Sequence, residues 1–156
     1  MQKVMDVATY IIKRYQSEYK QPIDEMKLHK LMYFAQRESF VQINEPLFDA
    51  TFYGWKYGPV FKEVRSAYKD GTIKSVKPPK ISNDQIPLFD RIFEDYAGKD
   101  SWSLSRLTHG ELSWKRSREG ISEAENSDNP ICTDDIRKDA DRIRMRRKML
   151  AQLGLA

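Results

Sequence analysis

The sequence predicts a mainly α fold with a small β element (α+β), a single compact domain over residues 1–156. Three observations carry this. Apolar residues recur at spacings of three and four along most of the chain, the period of a helix with one buried face. One short segment, residues 51–57, is instead dense in β-branched and aromatic types. The composition over 156 residues is 40% hydrophobic, 12% aromatic and 32% charged, which suits a globular chain with one core and not a disordered one.

The first helix is predicted from Val4 to Tyr15, where Val4, Val7, Ala8, Ile11, Ile12 and Tyr15 share a stripe and Lys13 and Arg14 stay in water. Pro22 interrupts it. Asp24 then caps a second, central helix with Glu25 in its first turn, where a carboxylate suits the positive end of the dipole. Leu28, Leu31, Met32, Phe34, Ala35, Phe40 and Ile43 form its broad apolar face, and Asn44-Glu45-Pro46 stops it. Leu47 and Phe48 return the chain to the core. Thr51 to Tyr57 is read as extended, with Gly54 weakening a regular strand. Gly58-Pro59 is expected to restart a helix with proline at its first position, carrying Val60, Val64, Ala67 and Tyr68 inward until Asp70-Gly71. Thr72 to Val76 is expected to pair as a second strand with residues 51–57, completing a two- or three-stranded element.

Pro78-Pro79 and Ser82-Asn83-Asp84 then read as a linker-like stretch, without a domain boundary. Ile86, Phe89, Phe93 and Tyr96 mark another helix, and Ser103 to Leu107 a short one. Thr108-His109-Gly110-Glu111 has the spacing of a capping box for a helix running to about Glu119. Polar residues Ser122 to Asn129, between Gly120 and Pro130, read as a mobile loop. Thr133 is expected to cap a last helix, about 133–151, with Asp134 and Asp135 at its start and cations at its end. That makes about seven helices.

Several function classes are disfavoured by what the chain lacks. The balance of 27 basic to 23 acidic side chains, a net +4, favours an acidic partner but falls short of a dedicated nucleic-acid binder. One cysteine, Cys132, precludes an internal disulfide, and with only His29 and His109 the usual zinc sites cannot form, so no metal is expected. No glycine-rich phosphate loop is present, so no nucleotide and no other cofactor is expected. No apolar run nears the roughly 20 residues of a membrane span. The N-terminal stretch meets Lys13 and Arg14 too early for a signal peptide, so a cytoplasmic location and no membrane partner are expected.

The most unusual string is Trp55-Lys56-Tyr57-Gly58-Pro59-Val60. Its aromatics either pack a turn into the core or, partly exposed, form an aromatic anchor for a partner, and the two readings are compatible. His109 and Glu111 with Cys132 invite a catalytic reading, but no protease signature or oxyanion-type glycine cluster surrounds Cys132, and no catalytic residue is assigned. Trp114 is expected to anchor the helix that follows His109. Arg142, Arg144, Arg146, Arg147 and Lys148 bring five cations into seven residues. They read as a solvated, dipole-matched helix end, as an acidic-protein contact, or as a nucleic-acid contact through phosphates.

In this order and spacing, Lys27-Leu28-His29-Lys30-Leu31-Met32-Tyr33-Phe34-Ala35, Glu45-Pro46-Leu47-Phe48-Asp49 and Trp55-Lys56-Tyr57-Gly58-Pro59-Val60 closely resemble the Panacea domain, the family of SocA-like antitoxins and phage-associated GepA-like proteins. Leu107-Thr108-His109-Gly110-Glu111 followed by Trp114-Lys115 resembles the family's second block. This chain has His29 where the family often carries glutamine. The resemblance implies a bacterial or prophage antitoxin, not an enzyme, that neutralises a cognate toxin by direct binding. Two alternatives come with it: an adaptor that delivers the toxin to a protease, and a DNA-binding autoregulator. Trp55 to Val60 is then the expected partner-binding surface, with Lys27, Lys30, Tyr33, His109, Glu111 and Trp114 either structural or partner-binding. The toxin's identity and the oligomeric state stay open.

Overall fold

A computed structural model describes residues 1–75 and 78–155. The central helix predicted behind Asp24 forms as α2 (Glu25–Ile43), and the Asp24 carboxylate accepts the Lys27 N–H at 2.8 Å. Every residue from Lys27 to Val41 is buried, so α2 lies inside the molecule and not along one side of it. It ends at Asn44, whose left-handed φ of 55° lets its N–H reach Phe40 O.

Six other helices surround it among the described residues: α1 (Val4–Tyr19), α3 (Lys62–Lys69), α4 (Ile86–Ile92), α5 (Ser101–His109), α6 (Leu112–Ser117) and α7 (Thr133–Gln152). Val7, Ala8, Ile11 and Tyr15 of α1, Leu88, Phe89 and Ile92 of α4, and Ile136 and Ala140 of α7 join α2 in one apolar cluster. The predicted run from Ile86 to Tyr96 is continuous, but after Ile92 it widens into a π-helical turn over Phe93–Ala97. That turn buries Phe93 and Ala97 and stacks Tyr96 on Phe34 at 4.1 Å. The fold is therefore mainly α with a small antiparallel sheet, as the spacing predicts.

The sheet's pairing differs from expectation. Strand β1 (Tyr53–Trp55) pairs with β2 (Gly58–Val60), so Gly58-Pro59 continues a hairpin and does not start a helix; α3 begins at Lys62. A pairing across the two-residue turn Lys56-Tyr57 costs far less loop closure than one across to residue 72. Pro59, which has no N–H, is tolerated opposite Gly54, because the Gly54 carbonyl accepts from Arg118 at 2.8 Å instead and the Gly54 N–H is donated to Asn129 O at 3.0 Å. A third short contact on β1 comes from Tyr53↔Pro130 and from Ile131 N–H to Phe52 O at 2.8 Å. Thr72–Ser75, expected as a strand, is a 3-10 turn: the Asp70 carboxylate takes both the Thr72 N–H and hydroxyl and winds the chain, burying Ile73. Val76 lies outside the described residues.

The capping box at Thr108 does not form. Thr108 and His109 close α5, the Thr108 hydroxyl donates back to Ser105 O at 2.7 Å, and α6 spans only Leu112–Ser117. Its first N–H groups are satisfied across the fold, because Asp139 of α7 accepts from Leu112 N at 2.8 Å and Ser113 N at 2.9 Å. At the start of α7 the cap position is Cys132 and not Thr133, and no side chain caps it. The loop expected to be mobile, 122–129, is fastened instead: Arg118 donates to Gly54 O, Ser122 O and Glu125 O, and Asn129 Nδ2 to Ser117 O.

Candidate functional site

The hairpin is held from below by α2. Lys30 is 1% exposed, and its ammonium donates to Pro59 O at 3.2 Å. Burial pulls its amine from the ordinary 10.5 down to about 7, against the opposing charges of Glu25 and Asp24. Gly58 is required here twice over. Its φ is +113°, and a Cβ would lie 2.5 Å from both Lys30 Cε and Thr108 Oγ1. Gly54 is the second close approach, since a Cβ there would meet Ser117 of α6 at 2.1 Å.

From the sides, α5 and α6 fix the turn. Ser105 Oγ donates to Tyr57 O at 2.7 Å, and Trp114 Nε1 to Trp55 O at 2.8 Å. His109 stacks on Trp114 at 4.1 Å, and burial holds its imidazole below the usual range while a hydrogen bond with the Lys56 backbone opposes the shift. The Lys56 N–H donates to Asn126 Oδ1 at 3.1 Å.

The exposed part is small and aromatic. Tyr57 is 45% exposed and meets Trp102, 54% exposed, edge-on at 5.1 Å. Trp55 is half-buried under Arg65, whose guanidinium sits 4.8 Å from the ring, and its Nε1 is buried with no hydrogen-bond partner among the described residues. Val60, Pro59 and Gly58 are buried and support the turn from inside. Beside Trp55, Glu25 accepts from Arg65 at 2.7 Å and from His29 Nε2 at 3.2 Å, and these partners hold its carboxyl below the ordinary range. His29 Nδ1 accepts the Phe61 N–H at 3.2 Å, and burial lowers the pKa of the imidazole, Glu25 opposing.

Of the residues singled out in the sequence, the structure thus gathers Lys30, Trp55, Lys56, Tyr57, Gly58, Pro59, Val60, His109 and Trp114 around one hairpin. Lys27, Tyr33 and Glu111 lie elsewhere. Lys27 donates to Tyr15 Oη and Ala97 O; the Tyr33 hydroxyl meets Ser113 at 2.6 Å; Glu111 forms a buried ion pair with Arg37 at 2.5 Å. Burial pushes both the Tyr33 hydroxyl and the Glu111 carboxyl up. Cys132 is exposed at the head of α7, away from this cluster's hydrogen bonds.

Within the basic run, Arg144 donates to the last carbonyls of α2, Phe40 O and Val41 O, and Arg147 makes a two-pronged pair with buried Glu38 at 2.7 and 2.8 Å. Arg142, Arg146 and Lys148 face outward, interleaved with exposed Met145 and Met149. Trp102, Arg65 and Asn126 complete the hairpin's surroundings without any sequence signal: Trp102 carries no periodicity, and the other two are reached only through tertiary contact. No helix among the described residues is long and apolar enough to cross a membrane, and they hold no cluster of metal-ligating side chains.

A family model described as antitoxin SocA-like, Panacea domain matches residues 28–115, from the first turn of α2 through the middle of α6. The match includes the whole hairpin and the α2 and α5 residues that hold it. No curated protein and no solved structure matches the chain.

Proposed function

The chain belongs to the family of SocA-like antitoxin (Panacea) domains, and on that premise we propose that it neutralises a toxin protein by binding it directly in the cytoplasm, without chemistry of its own. The observation that carries the proposed surface is the exposed Tyr57–Trp102 pair, Tyr57 on a turn fixed by Lys30, Ser105 and Trp114, and Trp102 in the first turn of α5. Aromatic side chains on a rigid support offer large contact area with little conformational entropy left to lose, the composition of a binding anchor. Lys56 and Arg65 beside them supply a polar, positively charged rim. Inhibition in this reading is occlusion of the toxin's working surface.

The test uses the reading frame beside this gene, expressed under control with and without the chain. Growth rescue and co-purification are expected with the parent. Tyr57→Ala and Trp102→Ala, both at exposed positions, are expected to keep the fold while binding falls by about 2 kcal/mol, roughly thirtyfold, for a true anchor. Unchanged rescue and unchanged affinity in both variants would show that the toxin binds another face. A neighbouring product that is harmless alone would remove the antitoxin reading itself.

A further inference from the structure

Beneath the Trp55–Tyr57 turn lies an open cavity of about 330 Å³, whose walls include Glu25, Lys30, Trp55, Lys56, Tyr57 and Arg65. Its hydrogen-bonding capacity is lopsided. Lys30, 1% exposed, has two N–H donors as the neutral amine and a third once protonated, and uses one, on Pro59 O. The Trp55 indole N–H is buried and has no partner among the described residues. The one carboxylate in the wall, Glu25, takes both Arg65 and His29 on a single oxygen, and neither Lys56 nor Lys30, whose amine titrates at about 7, has an ion-pair partner among the described residues. The cavity therefore has donors in excess of acceptors and net positive charge. A buried donor left unmatched costs free energy, and the group that matches donors alone is an ionised acid, which accepts and never donates. Trp55 and Tyr57 also line the cavity, with Met26 and Val60, and give it an apolar part suited to a methylene stem. The volume is at the small end of ligand pockets, room for one side chain and not for a nucleotide.

We propose that this cavity receives the carboxylate of a glutamate or aspartate side chain, presented by a segment of the partner protein lying across the Trp55–Val60 turn. This deepens the antitoxin reading and rests on it for the partner's role. The recognition chemistry itself needs no toxin to be tested.

The experiment uses the full, isotope-labelled chain and four probes: an N-acetylated, C-amidated Ala-Glu-Ala peptide, its Ala-Gln-Ala counterpart, an Ala-Ala peptide with a free C-terminal carboxylate, and inorganic phosphate. Readouts are the indole N–H resonance of Trp55, with Trp102 and Trp114 as internal controls, and the Cε resonance of Lys30. The glutamate peptide is expected to move the Trp55 indole signal and raise the Lys30 pKa at millimolar concentration, with the glutamine peptide at least about tenfold weaker. Lys56→Gln, at a partly exposed position, is expected to weaken binding severalfold. Lys30→Met is expected to abolish it; if that variant does not fold, Lys56→Gln decides. Equal response to glutamine, tighter binding of phosphate or of the free C-terminus, or no response at tens of millimolar overturns the proposal. Such a failure leaves toxin capture by Tyr57 and Trp102 standing. A successful titration with a harmless neighbouring gene product instead leaves the carboxylate site and removes the antitoxin role.

Discussion

Replacing Lys30 with methionine tests the energetics of the hairpin's support most directly. Methionine fills nearly the same volume and carries no charge. In the folded chain the Lys30 amine titrates at about 7, against 10.5 for the ordinary side chain. A base with a lowered pKa costs the fold stability wherever the unfolded chain holds the proton, so the burden is fully present below about 7, parent stability rises with pH between about 7 and 10.5, and the burden is gone only above that range. At about 1.36 kcal/mol per decade, the two decades from 7 to 9 give the parent roughly 2.5 kcal/mol over the variant between pH 6.5 and 9. Against this, the variant loses the hydrogen bond to Pro59 O at every pH, on the order of 1–2 kcal/mol. Lys30→Met is therefore expected to exceed the parent at pH 6.5, where a burden of about 4–5 kcal/mol outweighs the lost hydrogen bond, and to come close to it at pH 9, where about 2 kcal/mol of that burden remains. Urea denaturation of both proteins across that range, with the difference plotted against pH, isolates Lys30 because most other groups titrate alike in both. A difference that stays flat within about 0.5 kcal/mol would refute the account and show that Lys30 remains charged in the fold at pH 9.

Three further substitutions probe the parts that hold the hairpin in place. Gly58→Ala forces a side chain into a φ of +113° and against Lys30 and Thr108, and a loss of about 3 kcal/mol is expected by chemical denaturation. Arg37→Met leaves Glu111, 5% exposed, without its ion-pair partner; a loss of about 3–5 kcal/mol is expected, whereas the double change Arg37→Met with Glu111→Leu should recover most of it. Asp139→Ala removes the acceptor of two α6 N–H groups and leaves the Tyr33 hydroxyl with Ser113 alone, so a drop of about 2 kcal/mol is expected, with hydrogen exchange at Leu112 and Ser113 accelerating before the rest of the fold.

The helices were legible wherever one signal dominated. Asp24 before an apolar run located the start of α2, and the charge order of 133–151 located α7, because caps and dipole are local effects written in adjacent residues. The hairpin was misread because Gly-Pro is an equally good start for a helix; what decides between them is Lys30, 29 positions away, which occupies the space beside Gly58. Thr108 and Glu111 had the spacing of a capping box, but Arg37 claims the glutamate and Asp139 performs the capping from another helix. Asp134 and Asp135 at the head of α7 read as a dipole match, whereas the role of Asp139, which accepts from the first N–H groups of α6, has no local signal. Spacing recorded Lys30 and Tyr33 within a recognisable string, but the unpartnered Trp55 indole and the place of Trp102 beside Tyr57 arise only when three helices converge.

The density of polar groups on a helix buried from Lys27 to Val41 links the fold to its proposed use. Lys27, Lys30, Gln36, Arg37 and Glu38 each reach a different element: the turn after α4, the hairpin, the Leu47–Phe48 segment, the start of α6 and the end of α7. Each such contact adds modest net stability, because the groups were hydrated before folding, but each is directional and loses much when misaligned. An apolar α2 would hold its neighbours as firmly and let them slide; this one fixes their positions. For a protein that acts by presenting a surface, fixed position is the useful property, since ordering done during folding need not be repeated on binding. The two kinds of damage should therefore separate. Changes at the α2 contacts register as lost stability, with binding lost only in proportion, while changes at Tyr57 and Trp102 register in partner affinity with the folded chain intact.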